Sequence, residues 1–429
     1  MTFRIQRRQF LLGSSALAAA GAFGLGPARA QAAGLRLFWW GGQARADRTL
    51  GVADLYSETT GAPPIQGEFL AWDDYWTRLA TQVAGGNAPD IYQMDYRFIV
   101  EYATRNAIAP LDDYVGSVLQ LGDFDEDQLE GGKVDGKLYG ISLGANSVAT
   151  LINTGAFEEA GVEPPTNAWT YDDIMTKGAA FRDANVRNGM KMMSDGSYTE
   201  PMLDNWLRQQ GLSLYTADNK LGFGAEKMVE WFQMWNEFRD AGVIVGAEDQ
   251  ALDTGPLETT MLVQGKSALM PSNSNQLVGY QALVPDPLNM CGYPRIAEGV
   301  GGGHYRKPSM FFSAGTRNPE AAAALINFFV TDPEAGKVLG VERGVPCSAA
   351  VREAVAPTLD EQNQIALNFV ANLGDLLGPL PPPPPAAAGE IDISLLRTIG
   401  QEVSFGAKSP EDAGPEFVES AAALLESAN

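Results

Sequence analysis

Residues 73–95 read DDYWTRLATQVAGGNAPDIYQMD. Trp76, Leu79, Ala80 and Val83 recur at i, i+3, i+4 and i+7, the spacing of one helical face. Asp73 or Asp74 can cap the start of that helix, and Gly85 and Gly86 can end it. PDIYQMD then turns to a short strand that closes on a carboxylate, with Asp90 as a turn residue. A helix joined to a strand by so short a loop packs against the sheet that the strand enters, which confines the chain to α/β layers.

The same alternation runs on. LRLFWWGG (35–42) is a buried strand ending at a Gly-Gly break, and ADLYSETTG has the form of a helix end. GKLYGISLGANSVATLINTGAF (136–157) holds two strand-like runs. WTYDDIMTKGAAF follows with Thr170 as N-cap and Asp173 three residues on. In EKMVEWFQMWNEF, Met228, Trp231, Phe232 and Trp235 share a helical face and belong to a core. Asn318 and Asp332 each precede a proline and a glutamate, a helix-start signal seen twice. GPLPPPPPAAAGE (378–390) cannot join a helix or sheet interior, so it is expected as an exposed crossing segment in extended polyproline form. The 429 residues suggest two or three domains.

The N-terminus has the parts of an export leader: Arg4, Arg7 and Arg8, an apolar stretch rich in Gly, Ala and Ser, then Ala28-Arg29-Ala30. Paired arginines before QFL match a twin-arginine signal. The apolar stretch is too weak for a membrane span of about 20 apolar residues. Cleavage after Ala30 removes four arginines and no acid, taking the net charge from −23 to −27. Such a chain is a poor nucleic-acid binder, because phosphate contacts need clustered Lys and Arg. No second run is long enough to span a membrane. Two cysteines, Cys291 and Cys347, enter an oxidising compartment and either pair or stay as buried thiols.

Chemistry is scarce. His304 is the one histidine, which removes His-rich zinc sites, and no metal or cofactor is expected. No phosphate-cradling G-x-x-x-x-G-K-[ST] occurs, and GVGGG fails the dinucleotide pattern. Paired carboxylates of the glycosidase kind stay open, with no pair singled out. Aromatics stand at element ends instead: Trp39 and Trp40 close the first strand, Trp206 lies in TEPMLDNWLRQQG, and Tyr305 follows His304. In open α/β sheets ligands bind beyond the carboxyl ends of the strands. A ring there can stack on a sugar face while amides and carboxylates take the hydroxyls. Of the tryptophan pair, Trp40 adjoins the break and is the one expected at a site.

Across LRLFWWGG, AGGNAPDI, GKLYGI through INT, GKSALM and RNPEAAAALINFFVTDPEAGKVL, the chain resembles the family 1 extracellular solute-binding proteins, the sugar-capturing components of ABC importers. Where that family has YNK, this chain has INT (152–154). The resemblance implies a type II periplasmic binding protein-like α/β fold, with two lobes joined by a multi-segment hinge and a cleft between them. It places 34–145 and about 300–330 in lobe 1. It places about 146–299 and 331–429 in lobe 2, with crossings near 143–150, 299–317 and 329–332. It also implies a periplasmic monomer that takes a carbohydrate to a membrane permease, without catalysis. Matched positions point to Trp40, Asp95, Asn146, Glu200 and Trp206 as ligand contacts, with Tyr96, Asn273, Asn275, His304 and Tyr305 as further candidates. Arg343 suits a surface ion pair better than an acidic sugar. An acidic sugar or a cationic solute such as a polyamine remains as an alternative ligand, and an exported glycan-cleaving enzyme as an alternative function.

Overall fold

The computed structural model describes residues 34–428 apart from Arg97, Ser309, Pro383 and Ala386. The leader, its arginines and the Ala30 cleavage point lie outside the described residues. Two sheets organise the chain. The first runs in the order Gln66–Leu70, Arg36–Trp40, Ile91–Asp95, Met310–Ala314, Ile141–Ser142. Its first three strands are parallel, and Met310–Ala314 is antiparallel to both neighbours. The second has the order Leu288–Cys291, Val148–Asn153, Ser267–Asn273, Lys191–Met193.

Each sheet carries its own apolar core. Phe38, Trp39, Tyr92, Phe311 and Phe312 pack beneath the helices Gln43–Thr60 and Pro319–Thr331 in the first lobe. Phe157, Phe181, Trp231, Trp235 and Phe417 form the centre of the second. Along Val148–Asn153 the faces alternate, as a strand's must. Ile152 enters that core, and Leu151 enters a separate cluster with Leu277, Met290 and Phe369 on the other face.

Many local signals are as the residues suggest. Thr170 and Asp173 form a reciprocal capping box, Asp332 accepts from the Glu334 and Ala335 amides, and Gly61 ends its helix in the left-handed region. Other details differ. The helix Trp72–Ala84 starts one residue before the two acids, with Ala71 at its cap and no side-chain bond there. Its buried side centres on Tyr75 and Leu79 while Ala80 is exposed. Tyr75 takes that place because its hydroxyl reaches the Gln93 carbonyl inside the lobe. Asp90 is more than a turn residue: it is buried, accepts from the Arg36 amide at 2.9 Å, and accepts from Asn318 at 2.9 Å.

Between the lobes, Ala145–Asn146 and Lys307–Pro308 run side by side as an antiparallel ribbon. The chain does not leave the first lobe at 329–332. Asp332 restarts a helix at once, and Pro333–Leu339 turns back so that Ala335 enters the first core. The helix Ala349–Val355 stays on that side too, held by Arg352 on Asp125 and Ser348 on Asp123. A proline helix start reads the same whichever lobe it serves, so the residues alone did not separate the two.

The proline segment leaves the second lobe and returns to it. Gly378 donates to the His304 carbonyl at 2.7 Å, Leu380 packs against the first core, and Ala387 and Ala388 re-enter the second. Cys291 and Cys347 are both buried and free. Cys347 lies against Gln128 and Ser142 of the first lobe, while Cys291 sits on the second sheet.

Candidate binding cleft

Residues from both lobes meet at one place. Tyr96 comes from the first lobe, just past the strand Ile91–Asp95. Glu200 and Asp204 come from the helix Glu200–Arg208 of the second, with Tyr215 beside them. Tyr305 and Lys307 come from the returning ribbon segment, and Pro381, Pro382 and Pro384 lie across the top. The enclosed space is about 100 Å³, below the about 300–1,000 Å³ of typical small-molecule sites. The prolines occupy part of what the lobes alone would leave open. The Tyr96 hydroxyl donates to the Pro381 carbonyl at 2.8 Å.

The acidic wall has a clear construction. Glu200 and Asp204 are four apart on one helix, so they share a face. Thr199, the cap residue, makes no side-chain bond to the helix start. Asp392 lies near that end, where the Glu200 backbone amide favours its charged form. Asp392 belongs to a π-helical turn, Ile391–Leu396, an irregularity that is frequent at functional sites. Burial, then repulsion from Asp392 and Asp204, raises the Glu200 carboxyl to about 8, with Lys307 acting the other way. Burial raises Asp204 to about 6, against the pull of Arg208 and the Leu214 amide. The Tyr215 hydroxyl is buried and has no hydrogen-bond partner among the described residues. Arg208 lies 4.9 Å over the Tyr305 ring and holds the Gly303 carbonyl at 3.1 Å, fixing that ring in place.

The other candidate residues are distributed unevenly. Asp95 ends its strand, half-buried and opposite Met310. Asn146 is buried in the ribbon opposite Lys307. Trp40 is 8% exposed and packs on Tyr75 and Trp76, so most of the ring is spent on the first core. Trp206 is 7% exposed and packs on Trp231. His304 is buried between the Tyr293 amide, which donates to Nε2 at 2.9 Å, and the Asn205 amide group, 3.1 Å from Nδ1. Burial holds its pKa down at about 3, and it presents nothing to the cleft. Asn273 caps a short turn and, with Asp195, Tyr293 and Arg397, lines a separate polar recess of the second lobe; Asn275 is exposed on that turn. Arg343 is buried rather than at the surface: Nη2 donates to Thr49 at 2.7 Å, and the guanidinium lies 5.6 Å from the Phe312 ring centre.

Asp204, Tyr215, Lys307, Asp392 and Pro381 were not anticipated. One signal was available for Asp204: two acids at i and i+4 in EPMLDNW repel within a helix, a small cost with no local benefit.

The family described as bacterial extracellular solute-binding protein matches residues 52–364. The chain belongs to that family. Among solved structures, this solute-binding protein is similar to a family 1 extracellular solute-binding protein from Alicyclobacillus acidocaldarius. The two share 29% identity over 92% of this chain and 98% of that one, with a TM-score of 0.80. A periplasmic oligogalacturonide binding protein from Yersinia enterocolitica shares the fold at 23% identity, covering 92% and 100% of the two chains, with a TM-score of 0.77. A putative binding protein of Brucella abortus (strain 2308) is 24% identical over 220 residues, 49% of this chain and 51% of that protein. The chain thus matches about half the length of this curated relative. Among the described residues, no helix is long and apolar enough to cross a membrane.

Proposed function

We propose that this solute-binding protein captures a carbohydrate between its lobes and delivers it, as an exported monomer, to the permease of an ABC importer. The carrying observation is the cleft itself, where the Tyr96 and Tyr305 rings stand with the Glu200 carboxyl between two separately folded lobes. Aromatic faces take the apolar side of a sugar ring, and the carboxyl takes hydroxyls. Capture is reversible, and the lobes close because the ligand makes more contacts in the closed state. The oligogalacturonide and acarbose ligands named for structural relatives point to the same solute class. The ribbon and the passage of chain after Val355 serve as the hinge.

Titration calorimetry of the mature chain against a broad glycan panel tests this. Micromolar binding of at least one glycan, with no new reducing ends after incubation, is the expected result. A response confined to another solute class removes the carbohydrate, and cleavage of a bound oligosaccharide removes simple capture. An acidic sugar is the weaker alternative, because Glu200 and Asp204 line the cleft while Arg343 is turned into the first lobe.

A further inference from the structure

The wall made by Glu200 and Asp204 is unusual for a site that meets only neutral hydroxyls. Two carboxyls share one helical face, and a third, Asp392, lies behind them at the helix start. Each is disfavoured as an anion by burial, and Glu200 further by its acidic neighbours. Arg208 offsets Asp204 but is already committed to the Gly303 and Pro379 carbonyls. Lys307 offsets Glu200 from the exposed ribbon.

A second, independent feature points into the same space. Tyr215 is 7% exposed, lines the cleft, and its hydroxyl has no partner among the described residues. A buried hydroxyl normally finds one, and leaving it unmade is costly. Tyr215 lines the same space as Glu200 and Asp204, and the charges of Glu200, Asp392 and Asp204 all act on its phenol. A ligand group that donates several hydrogen bonds and carries positive charge would satisfy all of these at once. A protonated primary amine has three such donors. The Tyr96 and Tyr305 rings border the same space, with Arg208 already lying over the Tyr305 ring.

Building on the carbohydrate reading above, we propose that the cleft takes an amino sugar, with its ammonium group held by the Glu200 and Asp204 carboxylates and the Tyr215 hydroxyl. The sugar ring then lies against Tyr96 and Tyr305. A neutral or N-acetylated sugar of the same size would bring the two carboxyls no positive charge beyond the partial offsets from Lys307 and Arg208.

The test is calorimetry on the full mature chain with short glucosamine oligomers, their N-acetylated counterparts and glucose oligomers of matching length, with 1,4-diaminobutane as a plain amine. Free-amine oligomers are expected to bind about tenfold or more tightly than the acetylated ones, the scale of charge-assisted hydrogen bonds. Glu200→Gln is expected to bring the two sets level, and Asp204→Asn to narrow the gap. Scanning calorimetry of each variant establishes that it is folded. Acetylated or neutral oligomers binding as tightly as the amino forms would overturn the amine assignment and leave sugar capture standing. Binding of diaminobutane with no response to any glycan would overturn both the amino sugar and the carbohydrate reading. An undiminished amine preference in folded Glu200→Gln and Asp204→Asn would place the ammonium elsewhere and overturn the proposal.

Discussion

The Tyr96 hydroxyl of the first lobe is bonded to the Pro381 carbonyl of a segment anchored at both ends in the second. One side-chain bond thus ties the two lobes together directly over the cleft. A ligand larger than the present space displaces the proline segment or parts the lobes, and either movement strains this bond. Tyr96→Phe keeps the ring and removes the bond. It is expected to destabilise the ligand-free protein by about 0.5–1.5 kcal/mol, read as a lower urea midpoint, and to speed hydrogen exchange at the Ala387 and Ala388 amides. Unchanged exchange there would show that the strap is held without Tyr96.

The Glu200 carboxyl is held up at about 8, against about 4.3 in an unfolded chain. Between those values the native state keeps a proton that the unfolded state has released, so stability falls as pH rises through the window. Asp204, at about 6, adds in the same direction. Glu200→Gln is expected to raise the Tm of the ligand-free protein at pH 8 by a few degrees, on the scale of about 2–4 °C per kcal/mol for a lobe of this size. The gain should vanish at pH 4, where both carboxyls are neutral. The same Tm difference at both pH values would rule out the buried, repelled carboxyl.

His304 works in the opposite sense. Its folded pKa of about 3 lies below the about 6.5 of an unfolded histidine. The unfolded state takes up a proton that the native state refuses, so this residue's contribution is lost as pH falls from about 6.5 towards 3. His304→Gln should be less stable than the parent at pH 7 by about 1–3 kcal/mol, from the lost Tyr293 bond. The difference should shrink steadily to pH 4. Urea midpoints measured across that range check it, and a gap independent of pH would contradict a neutral buried imidazole.

Trp40 packs its ring on Tyr75 and Trp76. Trp40→Ala is therefore expected to cost about 3–5 kcal/mol of stability, the scale of emptying a large aromatic site. Loss of ligand affinity alone, with the urea midpoint unchanged, would return Trp40 to the binding surface.

Burial raises the Cys347 thiol to about 12 and raises Cys291 as well. Reactivity follows the thiolate. Native protein should resist iodoacetamide at pH 8 and take up two adducts per chain after unfolding, by mass spectrometry. Resistance that persists in denaturant until a reductant is added would reveal a disulfide.

Much of the fold could be read from local chemistry, because caps and helical stripes act within a few residues. Thr170 with Asp173, Asp332 and the Met228–Trp235 stripe are of that kind. On the helix Trp72–Ala84, Trp76, Leu79 and Val83 do pack on the first core, but Ala80 is exposed and Tyr75 is buried in its stead, since its hydroxyl reaches a carbonyl that belongs to a different element. The cleft was harder. Glu200, Tyr96 and Tyr305 were candidates by position in the family, and the structure gathers them in one place. Pro381 reaches the same cleft from the far end of the chain, held by a tyrosine hydroxyl, and Asp392 comes near Glu200 from behind it. No spacing rule connects residues so distant. Trp206 and His304 were candidates from the same family match, and the structure buries both, Trp206 on Trp231 and His304 against Tyr293 and Asn205; burial in a core selects the same residue types as a site does.

The strand Met310–Ala314 lies in the first sheet between Ile91–Asp95 and Ile141–Ser142, and the last helix, Pro410–Ala428, packs on Ala225–Asp240 of the second lobe. Neither lobe is therefore finished in the order in which it is synthesised. The first sheet stays split, with open strand edges, until residue 314 has left the ribosome, and the second core stays uncovered until nearly the whole chain is made. Open edges and bare cores on a nascent chain invite aggregation, so this connectivity makes the interval of translation itself the period in which the protein most needs protection.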